Sequence, residues 1–163
     1  KTFLTVEKDM ALNIALQVRE YLKRNHEVIM TRLTDEYVSL SERCRIANRA
    51  NADIFVSIHL NAHDDPRVNG IETFSFPGSQ KGGALRNAIH RGVMQLLPGW
   101  TDRGTKEANF QVLRQTKMPA ALVECGFITN QRDEQRIHDI NVRDTFARGI
   151  ANGIEAYLRE EAK

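Results

Sequence analysis

Short apolar segments alternate with long amphipathic segments along this sequence, and this alternation limits the possible folds more than any other feature. The short segments are rich in β-branched and aromatic residues, and they predict strands at residues 53–58, 71–76, 110–113 and 120–124. The long segments place apolar residues at three- and four-residue spacings, and they predict helices at residues 8–24, 40–50, 81–97 and 142–158. Residues 26–31 are predicted to be extended, and residues 61–70 and 100–107 to be irregular. Strands that alternate with such helices form largely parallel sheets. We therefore predict one α/β domain, a twisted, mostly parallel sheet with helices on both faces.

Composition narrows the choice of partners. The 23 basic and 21 acidic residues are interspersed and give a net charge of +2, so we expect no nucleic-acid partner. No apolar run approaches the ~20 residues of a membrane span, and residues 1–10 have no signal-peptide core, so we expect a soluble segment without membrane insertion. Cys44 and Cys125 have no CxxC spacing, which excludes a zinc ribbon and a disulfide framework. We expect a monomer.

Three polar residues stand where predicted elements begin or end. His59 follows the strand at 53–58, Glu124 closes the strand at 120–124, and Glu7 precedes the first helix. Parallel strands would deliver His59 and Glu124 to the same edge of the sheet, where ligands gather in this class of fold. An imidazole and a carboxylate as ligands, with a second carboxylate as base, suit hydrolytic zinc chemistry.

Each of these residues also has a simpler explanation. A histidine at a strand end is more often a hydrogen-bonded polar residue, and Glu7 could simply interact with the positive end of the helix dipole. Glu124, which closes an apolar strand before Cys125, is poorly explained by packing. Cys125 could be a thiol nucleophile, although an inert cysteine is the favoured interpretation. The remaining histidines are expected on the solvated surface: His26, His63, His90 and His138.

Several segments together resemble the zinc-dependent N-acetylmuramoyl-L-alanine amidases of the type-3 class. The most specific are SIHLNA at 57–62 and PAALVECGFITN at 119–130, and the similar segments cover nearly the whole chain. The resemblance implies Zn²⁺ bound by Glu7 and His59, with Glu124 as the catalytic carboxylate. It also implies peptidoglycan as substrate, and an extracytoplasmic location in the periplasm or cell wall.

One family feature is not in this sequence. The family opens with a strand and an Asp-x-Gly-His-Gly-Gly loop whose histidine is the other imidazole ligand, and no such motif precedes Glu7. We therefore expect residues 1–163 to be an amidase catalytic domain that lacks the N-terminal strand, with a two-ligand site that holds zinc weakly. The short connection between His59 and Ile71 predicts no autoinhibitory insertion. Two other functions remain open: a non-catalytic peptidoglycan-binding domain, and a cysteine hydrolase that uses Cys125.

Overall fold

Four strands form one sheet in the computed structural model, which describes residues 7–163. They are β1 (Phe55–Asn61), β2 (Ile71–Ser75), β3 (Asp102–Glu107) and β4 (Ala120–Phe127), in the order β1-β4-β2-β3. β1 pairs with β4 and β2 with β3 in parallel, whereas β2 and β4 are antiparallel. The predicted mostly parallel sheet is confirmed, and the N-terminal boundary of the predicted domain lies outside the described residues.

Helices cover both faces of this sheet. Six are described: α1 (Glu7–Leu22), α2 (Leu40–Arg49), α3 (Gln80–Leu96), α4 (Gln111–Arg114), α5 (Gln131–Ile137) and α6 (Ile140–Glu161). Side chains of β4 alternate between two apolar clusters. Ala121 and Val123 pack with α1, α3 and α6, whereas Leu122 packs with α2 and α4. This alternation places the strand between two layers of helices. No helix among residues 7–163 is long and apolar enough to span a membrane.

The α3–α6 contact depends on glycine. A Cβ at Gly92 would lie 2.3 Å from the carbonyl oxygen of Gly149, and a Cβ at Gly153 would lie 2.4 Å from the Cα of Ile89. Only hydrogen fits between backbones this close. Gly92, Gly149 and Gly153 therefore let the two longest helices pack backbone to backbone beneath the sheet.

Three local predictions differ from the structure. Residues 102–107 were predicted to be irregular because their side chains (DRGTKE) carry no apolar alternation. They form β3 because β2 supplies partners for their backbone hydrogen-bonding groups. Residues 110–113, predicted as a strand, lie largely in α4, because Val112 and Leu113 pack into the cluster beside α2. The run at 26–31, predicted to be extended like a strand, pairs with no strand among residues 7–163.

The outer edge of β1 borders a groove of about 640 Å³. α1 and the segment after it line the opposite side, and both Glu7 and His59 are among the lining residues. Within residues 7–163, β4 is the only strand that pairs with β1.

Candidate active site

Three neighbouring strands place polar side chains side by side. Glu124 of β4 lies opposite His59 of β1 and opposite Glu72 of β2. Residues directly opposite each other in a sheet project to the same face. The structure therefore brings His59 and Glu124 together, as the sequence predicted, and adds a second carboxylate that the sequence did not single out.

Both predicted residues lie inside their strands rather than at the ends. β1 continues to Asn61 and β4 to Phe127, and the pairing shifts register between His59 and Asn61. Such an irregularity bends a strand and redirects its side chains. The predicted strand ends at Ile58 and Glu124 are wrong, because the residues that follow them continue the backbone hydrogen bonding of the sheet.

Glu7 joins this row from the first turn of α1. Its Oε1 lies 3.0 Å from His59 Nδ1 and accepts a hydrogen bond from the Leu60 amide at 3.4 Å. The hydrogen bond from His59 holds the pKa of Glu7 below its ordinary value, against the opposing effect of burial. The other ring nitrogen, His59 Nε2, lies 2.8 Å from Ser57 Oγ. The imidazole is therefore held at both nitrogens.

Glu124 has a buried oxygen without a partner. Among the described residues, Oε2 has no hydrogen bond. Burial is the main reason that the pKa of Glu124 is raised to about 7; the charge of His59 opposes the rise, and the charges of Glu7 and Glu72 add to it. A carboxylate with this pKa both accepts and returns protons near neutral pH.

Glu72 is the functional candidate that the sequence analysis missed. Its side chain is only 6% exposed, yet Oε1 accepts a hydrogen bond from Asn61 Nδ2 at 2.7 Å and Oε2 accepts one from Arg103 Nε at 2.9 Å. Lys106 Nζ also contacts Oε2. Burial raises the pKa of Glu72, but Lys106 and Arg103 outweigh burial and hold the pKa below its ordinary value. Glu72 is therefore an ionised carboxylate beside Glu124.

Two other sequence expectations are settled by burial. Cys125 is fully buried, and burial raises its thiol pKa well above the ordinary value, so it does not supply a reactive thiolate.

The prediction that His90 is a solvated surface residue is wrong. Its ring is buried between Thr73 Oγ1 at 3.0 Å and Asp102 Oδ1 at 2.7 Å, where it connects α3 to β2 and β3.

The donor set at Glu7 and His59 fits part of a zinc site. Within residues 7–163, no group of three or more His, Cys, Asp or Glu side chains is arranged to hold a metal ion. Glu7 and His59 nevertheless bring a carboxylate oxygen and an imidazole into contact, which are donors that zinc accepts, and the unpartnered oxygen of Glu124 belongs to the same row. These residues provide two ligands and one free carboxylate.

Comparison with known proteins gives a consistent result. The family model described as N-acetylmuramoyl-L-alanine amidase matches residues 2–156. A sporulation-specific N-acetylmuramoyl-L-alanine amidase of Bacillus subtilis strain 168 is 38% identical over 153 residues, which are 91% of this chain and 58% of the relative. An endolysin of Bacillus phage SPP1 is 35% identical over 164 residues, covering 96% of this chain and 60% of the relative. The chain thus spans less than two thirds of the length of each of these two curated relatives.

Solved structures share the whole architecture. The chain superposes on an N-acetylmuramoyl-L-alanine amidase from Clostridium difficile 630 with a TM-score of 0.94 at 37% identity, covering 99% of this chain and 88% of the other. The catalytic domain of CwlV from Bacillus (Paenibacillus) polymyxa var. colistinus gives a TM-score of 0.91 at 37% identity, covering 96% and 87% of the two chains. The family resemblance carried by SIHLNA and PAALVECGFITN is confirmed, and the chain belongs to the N-acetylmuramoyl-L-alanine amidase family.

Proposed function

We propose that this chain is the catalytic domain for hydrolysis of the amide bond between N-acetylmuramic acid and L-alanine in peptidoglycan, a reaction that uses a zinc-activated water. The observation that carries the proposal is the buried Oε2 of Glu124, to which residues 7–163 supply no hydrogen bond, in the same row as the contacting pair Glu7 and His59. Family membership supports the choice of reaction, because the family is named for this amide bond and is generally zinc-dependent.

Glu7 and His59 would hold the zinc ion. A zinc ion held there would supply Lewis-acid polarisation of the amide carbonyl and a bound water with a pKa lowered to about 7. Contact with the Leu60 amide fixes the Glu7 carboxylate, and Ser57 fixes the ring plane of His59. These supporting hydrogen bonds reduce the freedom that each ligand loses on binding a metal.

Glu124 is the proton carrier in this proposal. Its Oε2 accepts a proton from the attacking water and returns it to the nitrogen of the departing alanine, so that the carboxylate ends the cycle as it began. A pKa of about 7 suits both halves of this cycle, because neither the acid nor the carboxylate is strongly favoured at neutral pH.

The substrate also implies a location. We infer that the protein acts outside the cytoplasm, in the periplasm or cell wall, where peptidoglycan is found. Relatives that are named probable cell wall amidases support this location. We retain the expectation of a monomer, which light scattering of the purified protein would test.

The proposed reaction has a distinctive product pattern. The full-length gene product, incubated with purified peptidoglycan, should release new alanine N-termini without new reducing sugars. His59→Ala should abolish this release, whereas His26→Gln should not, because His26 pairs with Glu155 away from the row. New reducing ends would instead indicate cleavage of the sugar strand and would exclude the proposed reaction.

The same assay separates the two alternative functions. A non-catalytic peptidoglycan-binding domain would bind the polymer without releasing alanine N-termini. A cysteine hydrolase would keep its activity in a chelator and lose it with an alkylating reagent. The buried thiol of Cys125 argues against the second alternative, and we expect the opposite response to both reagents.

A further inference from the structure

Arg103 and Lys106 project from β3 onto the same oxygen atom of Glu72. Arg103 Nε and Lys106 Nζ both contact Oε2, while Asn61 occupies Oε1. The Glu72 side chain is 6% exposed, but those of Arg103 and Lys106 are 30% and 41% exposed. A buried carboxylate thus anchors two cations whose outer surfaces remain open to solvent.

The guanidinium group of Arg103 is held in a fixed plane. Nε is bound to Glu72, and the group lies over the ring of Phe127 with Cζ 5.0 Å from the ring centroid. Within residues 7–163, the hydrogen bond from Nε is the only one that the Arg103 side chain makes, so its two terminal nitrogens keep their donors. A planar guanidinium with a free donor edge is suited to bind a carboxylate through two hydrogen bonds.

The charges in contact at Glu72 do not cancel. Two cations, Arg103 and Lys106, meet one carboxylate, Glu72. Two acids flank these cations on β3: Asp102, which accepts hydrogen bonds from His90 and from the Gly104 amide, and the exposed Glu107. Within the contacts made by Glu72, two positive charges therefore meet one negative charge next to the proposed catalytic row. Neutralising Glu72 alone would require only one of the two cations.

We propose that Arg103 and Lys106 together bind a carboxylate on the peptide side of the substrate, an inference that rests on the proposed amidase activity. Glu72 is then a positioning residue, because it orients both cations without touching the substrate itself.

The sheet geometry limits where that carboxylate lies. β3 is two strands away from β4, and at about 4.8 Å per strand spacing the cation pair lies roughly 10 Å from Glu124 across the sheet. An extended peptide advances about 3.3–3.6 Å per residue. The bound carboxylate therefore belongs to one of about the first three residues after the amide that is cut.

A pair of substrates tests this assignment in the full-length, zinc-loaded protein. The two are synthetic muramyl tripeptides whose second residue is glutamate, with its α-carboxyl group free in one and converted to a carboxamide in the other. Because hydrogen bonds to a charged partner are stronger than neutral ones, kcat/KM should favour the free carboxylate by about tenfold or more. Lys106→Met and Arg103→Gln should remove most of that preference.

Two further variants make the outcome specific. Lys106→Arg should preserve the preference, because it keeps the charge, and Lys81→Met is the matched control, since Lys81 pairs with Glu161 at the far end of α6. A purely structural role for Lys106 and Arg103 would lower kcat/KM equally for both substrates. An equal loss, or no preference in the parent protein, would overturn the proposal.

A binding measurement keeps this test separate from the proposed reaction. The free tripeptides, without the sugar, can be titrated into the protein by calorimetry. The free-carboxylate peptide should bind about tenfold more tightly than its carboxamide, and Lys106→Met should abolish the difference. If neither muramyl substrate is cut but this difference is present, the proposed reaction fails and the carboxylate site stands. Equal binding of both peptides would refute the site.

Discussion

Replacing Glu124 by glutamine should lower activity and raise stability at the same time. Glutamine keeps the size and shape of the side chain but cannot accept a proton from water. Because general acid–base catalysis contributes roughly 10²–10⁴-fold, we expect kcat to fall by at least about 10²-fold. Zinc content should stay near that of the parent protein, since the proposed ligands are Glu7 and His59.

The stability gain follows from the raised pKa of Glu124. The pKa of this carboxyl group rises from 4.5 to about 7 in the folded protein, mainly through burial. At about 1.4 kcal/mol for each tenfold change in proton affinity, ionising the group in the folded state costs about 3 kcal/mol. The folded pKa is the higher one, so this stability is present below pH 4.5 and is lost as the pH rises through about 7. Glutamine does not ionise and avoids the loss.

Urea denaturation of zinc-free protein measures this difference. At pH 8, Glu124→Gln should have a free energy of unfolding up to about 3 kcal/mol higher than the parent, and at pH 4 the two should agree closely. An equal stability at both pH values would show that Glu124 is not held in a low-dielectric environment. Loss of zinc along with activity would show that Glu124 is a metal ligand.

Three further predictions concern packing and the metal site. In urea denaturation, Gly92→Ala should reduce the free energy of unfolding by roughly 3 kcal/mol, because the new Cβ would meet the Gly149 carbonyl. The control, Gly83→Ala on the same helix, should be neutral or should raise the free energy of unfolding by up to about 1 kcal/mol. Glu7→Gln and His59→Ala should each lower zinc affinity in competition titrations against a chelating dye; unchanged affinity would contradict the proposed ligand pair. A polypeptide of residues 1–163 should bind zinc weakly and turn over little peptidoglycan, because two ligands orient the ion poorly; stoichiometric zinc binding together with efficient turnover by this polypeptide would refute this expectation.

The sequence was most informative where apolar periodicity dominates. The helices α1, α3 and α6 and the strands β1, β2 and β4 all carry a clear apolar pattern, and all were predicted within a few residues. His59 and Glu124 could be placed together because each stands at the end of a predicted apolar strand, and the carboxyl ends of parallel strands meet at the same edge of a sheet.

The failures occurred where tertiary contacts override local preference. β3 has no apolar face, and it is a strand because β2 supplies its hydrogen-bonding partners. The segment at 110–113 has strand-like composition, but the cluster formed by Cys44 and Phe55 receives Val112 and Leu113 from a helical turn instead. Neither result could be obtained from a local sequence window.

Glu72 shows what sequence reasoning lacks at the site itself. The alternation of IETFSF correctly predicts a strand, but it does not say which strand lies next to it. Glu72 is important only because the antiparallel pairing of β2 with β4 sets it opposite Glu124, and because β3 brings two cations to it. Register between distant strands is a property of the folded chain.

The pairing of Glu72 with Glu124 also explains how one sheet supports two different carboxylates. Like charges directly opposite each other in a sheet destabilise it, so both groups cannot be ionised without compensation. Arg103 and Lys106 compensate Glu72, whose pKa is lowered, while Oε2 of Glu124 has no partner within residues 7–163 and its pKa is raised to about 7. The negative charge is therefore concentrated on Glu72, and its field raises the proton affinity of Glu124. The same cations that keep Glu72 ionised thus help to make its neighbour a proton acceptor near neutral pH.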